Sequence, residues 1–310
     1  MAGNINRFAR APCAALLLMA AACSEAPAPK PDRSYEFESH TDLEALFAEL
    51  NYTPEAWADG NRDVPRLYLT SIPSRWRHRT ADSLPVTRKK QLFFRLISPA
   101  ALRANELVAA DRARLLELAK GPGQLAPDDA DWLANLAARY RLRDESAAGP
   151  EAIEELMLRV DVLPPSLILA QAAEESGWGT SRFADVGNAL FGQWAWDDGI
   201  IPLERREELG EYYVARFETP LDSIRAYMRN LNTHRAYRRL RARRAELRAM
   251  GELPSGWELA RTLTSYSERG ADYVRTLHSI MKANNLDAVD DAYLRDMEPI
   301  ALVPVGDGAH

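Results

Sequence analysis

The sequence predicts a mostly helical α+β fold in which one small β-hairpin interrupts a series of helices. Apolar residues recur at three- and four-residue spacing through most of residues 40–145 and 150–290, the period of helices with one buried face. The character changes between 181 and 219, where glycines, tryptophans and two short alternating stretches flank a charged turn containing Gly210. A chain of 310 residues that is 46% hydrophobic and 27% charged is also long and apolar enough to bury a sizeable core.

Taken in order, Arg7 and Arg10 precede a short apolar run, Ala14 to Ala22, which is too short to span a bilayer. It ends in Ala20-Ala21-Ala22-Cys23, which is similar to a bacterial lipoprotein signal. That likeness implies removal of residues 1–22 and a lipid on Cys23. Ser24 after the cysteine implies an outer-membrane anchor facing the periplasm. An ordinary secretory signal cut near Ala22 is the alternative. Both cysteines of the chain, Cys13 and Cys23, lie in this segment, so the fold is expected to stand without a disulfide.

Residues 23–39 are rich in proline and alanine and read as a flexible tether. Helices expected at 41–50, 86–97, 98–120 and 128–140 form a helical N-terminal region, 40–145. Its basic clusters, Arg75/Arg77/His78 and Arg88/Lys89/Lys90, read as solvated faces. A boundary is expected at 141–149. The second region, 150–290, starts with helices at 150–160 and 164–176. Hairpin strands follow at Gly199–Arg205 and Glu211–Thr219, the first confined to an edge by Pro202. Helices return at 220–233, 234–250, 257–266 and 272–284. Residues 291–310 lack a pattern and are expected to be an extended or disordered tail.

The stretch richest in chemistry is Leu163 to Gly179. Pro164 and Pro165 suit a first helical turn, and Gly177 suits a helix stop. Glu174 and Glu175 therefore sit in the last turn, where the helix dipole is negative, with Trp178 close by. Both surroundings raise a carboxyl pKa, which a general acid working near neutral pH requires. The two glutamates lie about 100° apart around the helix, so only one can face a cleft. A hairpin lobe opposite a helical lobe, with a helix ending in a carboxylic acid between them, is the layout of a lysozyme-like domain.

Ala170–Ala184, which contains Glu175-Ser-Gly-Trp-Gly179, and Gly187-Asn-Ala-Leu-Phe-Gly192 resemble the signature of the glucosaminidase family typified by flagellar and cell-division peptidoglycan hydrolases. Phe217–Leu231 resembles the family's helix after the hairpin. Asn230–Tyr237, Tyr266–Tyr273, Val64–Leu69 and Lys89–Leu96 are similar to the branch called Bax proteins. The likeness spans roughly residues 40–290. It implies hydrolysis of the β-1,4 bond after N-acetylglucosamine in peptidoglycan. It places the catalytic acid on Glu175, leaving Glu174 an exposed helix residue, and a cleft tyrosine on Tyr273. It also implies a partner acid on the hairpin. Glu204 is the best-placed candidate, with Glu207, Glu208 and Glu211 near it; a solvated hairpin charge is the favoured reading for Glu204, and a core or rim tyrosine is the alternative for Tyr273. Asn188, Trp178, Phe191 and Trp194 are candidates to hold sugar, although core support is the favoured reading for Trp178 and Phe191.

A formal net charge of −6 argues against a nucleic-acid partner. No His/Cys/Asp/Glu set has metal-ligand spacing and no glycine-rich phosphate loop is present, so neither metal nor cofactor is expected. Arg235, Arg238, Arg239, Arg241, Arg243 and Arg244, after His234, read as a solvated helix in preference to an anion site. Three functions compete: a glucosaminidase, a lytic transglycosylase or muramidase of the same fold, and a non-catalytic cell-wall scaffold. The partners expected are glycan strands and, through the lipid, a membrane; regulatory cell-wall proteins are left unspecified. Cys23→Ala should release the protein from the membrane fraction or block its processing. Unchanged fractionation, with no fatty-acid labelling of the wild type, would contradict lipidation.

Overall fold

Helix α4 (Val86–Lys120), 35 residues long, is the axis on which the other elements assemble. The computed structural model describes residues 31–121, 125–142, 150–203 and 211–306. Ahead of α4 come strand β1 (Arg33–Phe37), helices α1 (His40–Glu49) and α2 (Pro54–Ala58), strands β2 (Asp63–Val64) and β3 (Leu67–Leu69), a π turn at Trp76–Thr80 and the short α3 (Ala81–Ser83). Helices α5 (Pro127–Arg139) and α6 (Pro150–Arg159) follow it, then α7 (Pro165–Ser176) and α8 (Arg182–Gly187). Strands β4 (Trp194–Ala195) and β5 (Tyr213–Val214) precede α9 (Pro220–Thr233), α10 (Arg238–Ala249), α11 (Gly256–Ala260) and α12 (Ala271–Ala283). Strands β6 (Tyr293–Leu294) and β7 (Ile300–Pro304) close the described chain. The fold is mostly helical α+β, as the hydrophobic periods predict.

Pro99 splits the sequence pattern of α4 but does not break the helix. A mid-helix proline removes one N–H and orphans the carbonyl four residues back, here that of Arg95. The Tyr52 hydroxyl donates to that carbonyl at 3.4 Å, and Ser98 Oγ donates to Phe94 O at 2.7 Å. Ser98, Pro99, Ala100, Ala101, Leu102 and Ala104 are buried, so tertiary packing holds as one helix what was expected as two, 86–97 and 98–120. At α1 the expected N-terminus is a capping box. Ser39 Oγ accepts from Asp42 N, and the Asp42 carboxylate accepts from Ser39 N at 2.9 Å.

The ends of the chain depart most from the sequence reading. The tether expected over 23–39 gives way to β1 at Arg33. The tail expected over 291–310 contains β6 and β7. Strand β7 is the centre of a three-stranded parallel sheet, β1–β7–β3, with Ile300 opposite both Arg33 and Leu67. Strands β2 and β6 form a second parallel pair. Both pairings join segments more than 200 residues apart, which no local pattern can announce. The helix expected at 257–266 is helical only over α11. The first hairpin strand lies at Trp194–Ala195, antiparallel to β5, and Ile200 adds a single bridge to Val214.

One core crosses the boundary expected at 141–149. It runs from Phe37 through Phe93 and Ala101 of the N-terminal region to Ile168, Tyr227 and Leu277, and on to Leu302. A smaller cluster, with Leu115, Leu133, Leu136 and Leu156, joins the end of α4 to α5 and α6. The basic clusters are largely structural. Arg75 donates to Phe37 O and Val305 O, His78 lies 3.2 Å from the buried Asp185, and Lys90 covers an indole. In α10, expected to be solvated, Arg244 is fully buried and donates to the carbonyls of Leu158, Asp161 and Val162 and to Asn232 Oδ1. Arg248 grips the Asp161 carboxylate with two 2.7 Å bonds.

Deleting residues 291–310 removes β6 and the central strand β7. The melting temperature of the truncated protein should fall by more than about 5 °C, measured by circular dichroism. An unchanged value would show that the parallel sheet contributes nothing to the fold.

Candidate active site

Helix α7 is buried on nearly every side and is held at both ends by distant segments. Its N-cap, Pro164, offers no capping side chain. The Asp290 carboxylate supplies the cap instead, accepting from Ser166 N at 2.8 Å and Ser166 Oγ at 2.7 Å. Gly256 must lack a side chain here, because a Cβ would lie 2.1 Å from Ser166 Oγ.

At the other end, Gly177, Trp178 and Gly179 all have left-handed backbone, with φ of 57°, 63° and 77°. Ser176 Oγ pins this turn by donating to Ala172 O at 2.6 Å and accepting from Gly179 N at 2.8 Å. Trp178 faces the N-terminal region. Its ring meets Phe93 and Phe94 edge-on at 5.8 and 5.2 Å, and Lys90 lies 4.6 Å above it. Its carbonyl accepts from Trp76 Nε1 at 2.9 Å. Trp178 is therefore a clamp on α4.

Glu175 sits among tyrosines. Tyr273 Oη, on α12, donates to Glu175 Oε1 at 2.7 Å. Tyr227, Tyr237 and Tyr266 lie close enough to feel its charge. Burial pushes the Glu175 carboxyl up to about 7, with the Glu174 charge adding to the rise, while the Tyr273 hydrogen bond and Arg269 oppose it. Glu174 is not simply exposed as expected. It pairs with Arg269 at 2.5 Å, and Arg269 Nη2 also reaches Thr276 Oγ1 at 2.6 Å. Tyr273 is only 1% exposed and stacks on Tyr266 at 5.3 Å. Burial, then the Glu175 charge, push its hydroxyl upward, so it stays protonated.

The other expected site residues are dispersed. Phe191 is core, stacked on Tyr227 at 3.9 Å. The Asn188 carboxamide is spent on structure: Oδ1 accepts from Ile72 N, and Nδ2 donates to Phe217 O and Glu218 O. Trp194 is buried and stacks on Tyr212 at 4.6 Å, with Trp196, 36% exposed, against its edge. Glu204, Glu207 and Glu208 lie outside the described residues, as does Cys23. Glu211 is exposed. The sequence reading did not single out Gln171, Tyr227, Tyr237, Tyr266 or Arg269. Gln171 carried a usable signal, lying four residues before Glu175 on the same helical face.

A protonated carboxyl at the end of a buried helix, hydrogen-bonded by a tyrosine, is equipped to deliver a proton to a leaving oxygen. The glucosaminidase family model, described as mannosyl-glycoprotein endo-beta-N-acetylglucosaminidase, matches residues 150–286, the span that carries this pair. The family model places the span in a glycoside hydrolase family. Over 211 residues the chain is 30% identical to Protein bax of Escherichia coli (strain K12), covering 66% of this chain and 75% of that protein. The chain belongs to the Bax-type glucosaminidase family. No solved structure matches it.

Between pH 4.5 and about 7 the folded protein keeps a proton on Glu175 that an unfolded chain has released. Stability from this group is therefore lost as pH rises through that window. Glu175→Gln removes the penalty. Its melting temperature relative to wild type should climb between pH 4.5 and 7.5 in scanning calorimetry. A pH-independent offset would contradict the raised value.

Proposed function

We propose that the protein is an endo-β-N-acetylglucosaminidase that hydrolyses the β-1,4 bond after N-acetylglucosamine in peptidoglycan, with Glu175 as general acid. The observation that carries this reading is the Glu175–Tyr273 pair at the end of α7, inside the span the glucosaminidase model matches. Glu175 protonates the departing glycosidic oxygen. A second acid from the hairpin, Glu204 in this reading, activates water or offsets the positive charge that develops on the sugar. The lipoprotein-like leader supports an outer-membrane anchor facing the periplasm, where the cell wall is the glycan within reach.

General acid catalysis contributes about 10² to 10⁴ in rate, so Glu175→Gln should lower activity on purified sacculi at least by the smaller factor. Glu174→Gln should change little by comparison, because the Glu174 charge ranks behind burial and the Tyr273 hydrogen bond in setting the Glu175 carboxyl. Mass spectrometry of the fragments should find reducing-end N-acetylglucosamine. Anhydro-muramic ends would indicate a lytic transglycosylase, and no fragments would indicate a scaffold. Full activity in Glu175→Gln would remove the mechanism.

A further inference from the structure

Gln171 is fully buried, lies one turn before Glu175 on α7, and touches two tyrosines from different elements. Its Nε2 donates to Tyr273 Oη at 2.8 Å, and its Oε1 accepts from the Tyr227 hydroxyl on α9. Tyr273 then donates to Glu175 Oε1 at 2.7 Å. The three bonds run in one direction: Tyr227 to Gln171, Gln171 to Tyr273, Tyr273 to Glu175.

That direction has chemical content. A hydroxyl can donate or accept, whereas an amide NH₂ only donates and an amide oxygen only accepts. A Tyr273 hydroxyl free to choose could accept from a protonated Glu175 and draw the acid proton inward, away from any substrate. With Gln171 Nε2 aimed at its oxygen, the Tyr273 proton is directed to Glu175 Oε1. Glu175 Oε1 is then occupied as an acceptor, and a proton on the carboxyl resides on Oε2. Tyr227 occupies the other end of the amide by donating to Oε1, and Phe191 holds the Tyr227 ring in place by stacking on it at 3.9 Å.

We propose that Gln171 is the positioning residue that sets the direction of this chain, so that Tyr273 always donates to Oε1 of Glu175 and the transferable proton is carried on Oε2. The proposal rests on the reading of Glu175 as general acid, but its test does not need activity. The groups facing Glu175 are Glu174 on its own helix, Arg269 before α12, and Tyr227, Tyr237, Tyr266 and Tyr273. On α4, Lys90 is turned onto the Trp178 ring. On α11, Glu258 is paired with Arg243 and Arg261. Asp290 lies at the opposite end of α7, on Ser166. None of these groups is removed by changing Gln171.

Gln171→Met keeps an unbranched side chain of similar length but abolishes both amide bonds. The Glu175 carboxyl can be titrated by ¹³C NMR of the full chain, its resonance identified by its absence in Glu175→Gln. In Gln171→Met the midpoint should move to higher pH by on the order of half a unit, because Tyr273 no longer donates reliably. In a Tyr273→Phe background the same change should produce no further movement, which a general loss of packing would not reproduce. Where peptidoglycan cleavage is measurable, the alkaline limb of kcat should move with the midpoint while KM stays constant. If Gln171→Met fails to fold, Tyr227→Phe, which frees the amide to turn, should shift the midpoint in the same direction. An unchanged midpoint overturns the proposal. A downward shift also overturns it, because it means that Tyr273 accepted from Glu175 and the chain ran the other way. Absence of peptidoglycan cleavage by the wild type would overturn the functional reading and leave the titration to decide the role of Gln171.

Discussion

Everything around α7 serves one constraint: a carboxyl group must be kept from water without being left unpaired. A buried carboxylate with no partner is too costly to keep, and a fully solvated one holds its proton only in acid. Glu175 lies between these limits. Burial raises it to about 7, and the Tyr273 hydroxyl, with Arg269 behind it, limits the rise. The balance depends on position to a fraction of an ångström, since a hydrogen bond weakens quickly beyond its normal length. That requirement explains why α7 is gripped at both ends. Asp290 reaches from the far end of the chain to Ser166, and the Ser176–Gly179 turn is seated on Trp76.

The grips come from outside the span the glucosaminidase model covers, and this gives the flanking regions their purpose. Trp76, Phe93 and Phe94 come before residue 150, and Asp290 comes after residue 286. Strand β7, between β1 and β3, ties the two flanks to each other. The N-terminal helices are therefore the bed of α7, which is why the core runs through them without a seam. Arg244 and Arg248 do similar work at Asp161, just ahead of α7. Arg244 carries its charge into the interior, where backbone carbonyls and the Asp161 carboxylate meet it, at an energetic cost that specific positioning can offset.

Features that depend on short spacing were legible in the sequence. The start and stop of α7, set by Pro164–Pro165 and Gly177, and the placing of Glu174 and Glu175 in its last turn all lie within one or two helical turns. Pro99 misled because its effect depends on whether Tyr52, 47 positions earlier, comes back to satisfy the orphaned carbonyl. The pairing of β1 with β7 was invisible for the same reason. The tail has no alternation because its residues answer to partners on two other strands. Within the site, Tyr273 came from family likeness and Gln171 could be read only from its four-residue spacing to Glu175, whereas Tyr227 looks like an ordinary helix residue until three helices are packed together. The hairpin acid stays a matter of sequence, since residues 204–210 lie outside the described chain.

Trp178 shows how position outweighs local preference. A non-glycine residue in left-handed backbone costs about 1–2 kcal/mol, and glycine would occupy that site without the penalty. Glycine stands on both sides of it, so the tryptophan is not there for want of an alternative. Its ring meets two phenylalanines of α4 and a lysine, and each aromatic contact is worth about 0.5–1.5 kcal/mol beyond the area it buries. The contacts therefore match or exceed the strain. They also do what a glycine could not, by fixing the direction in which the chain leaves α7. A helix ending in three consecutive left-handed residues would otherwise be free to swing, and its last turn, which carries Glu175, would fray. Strain at residue 178 and precision at residue 175 are thus two sides of the same packing.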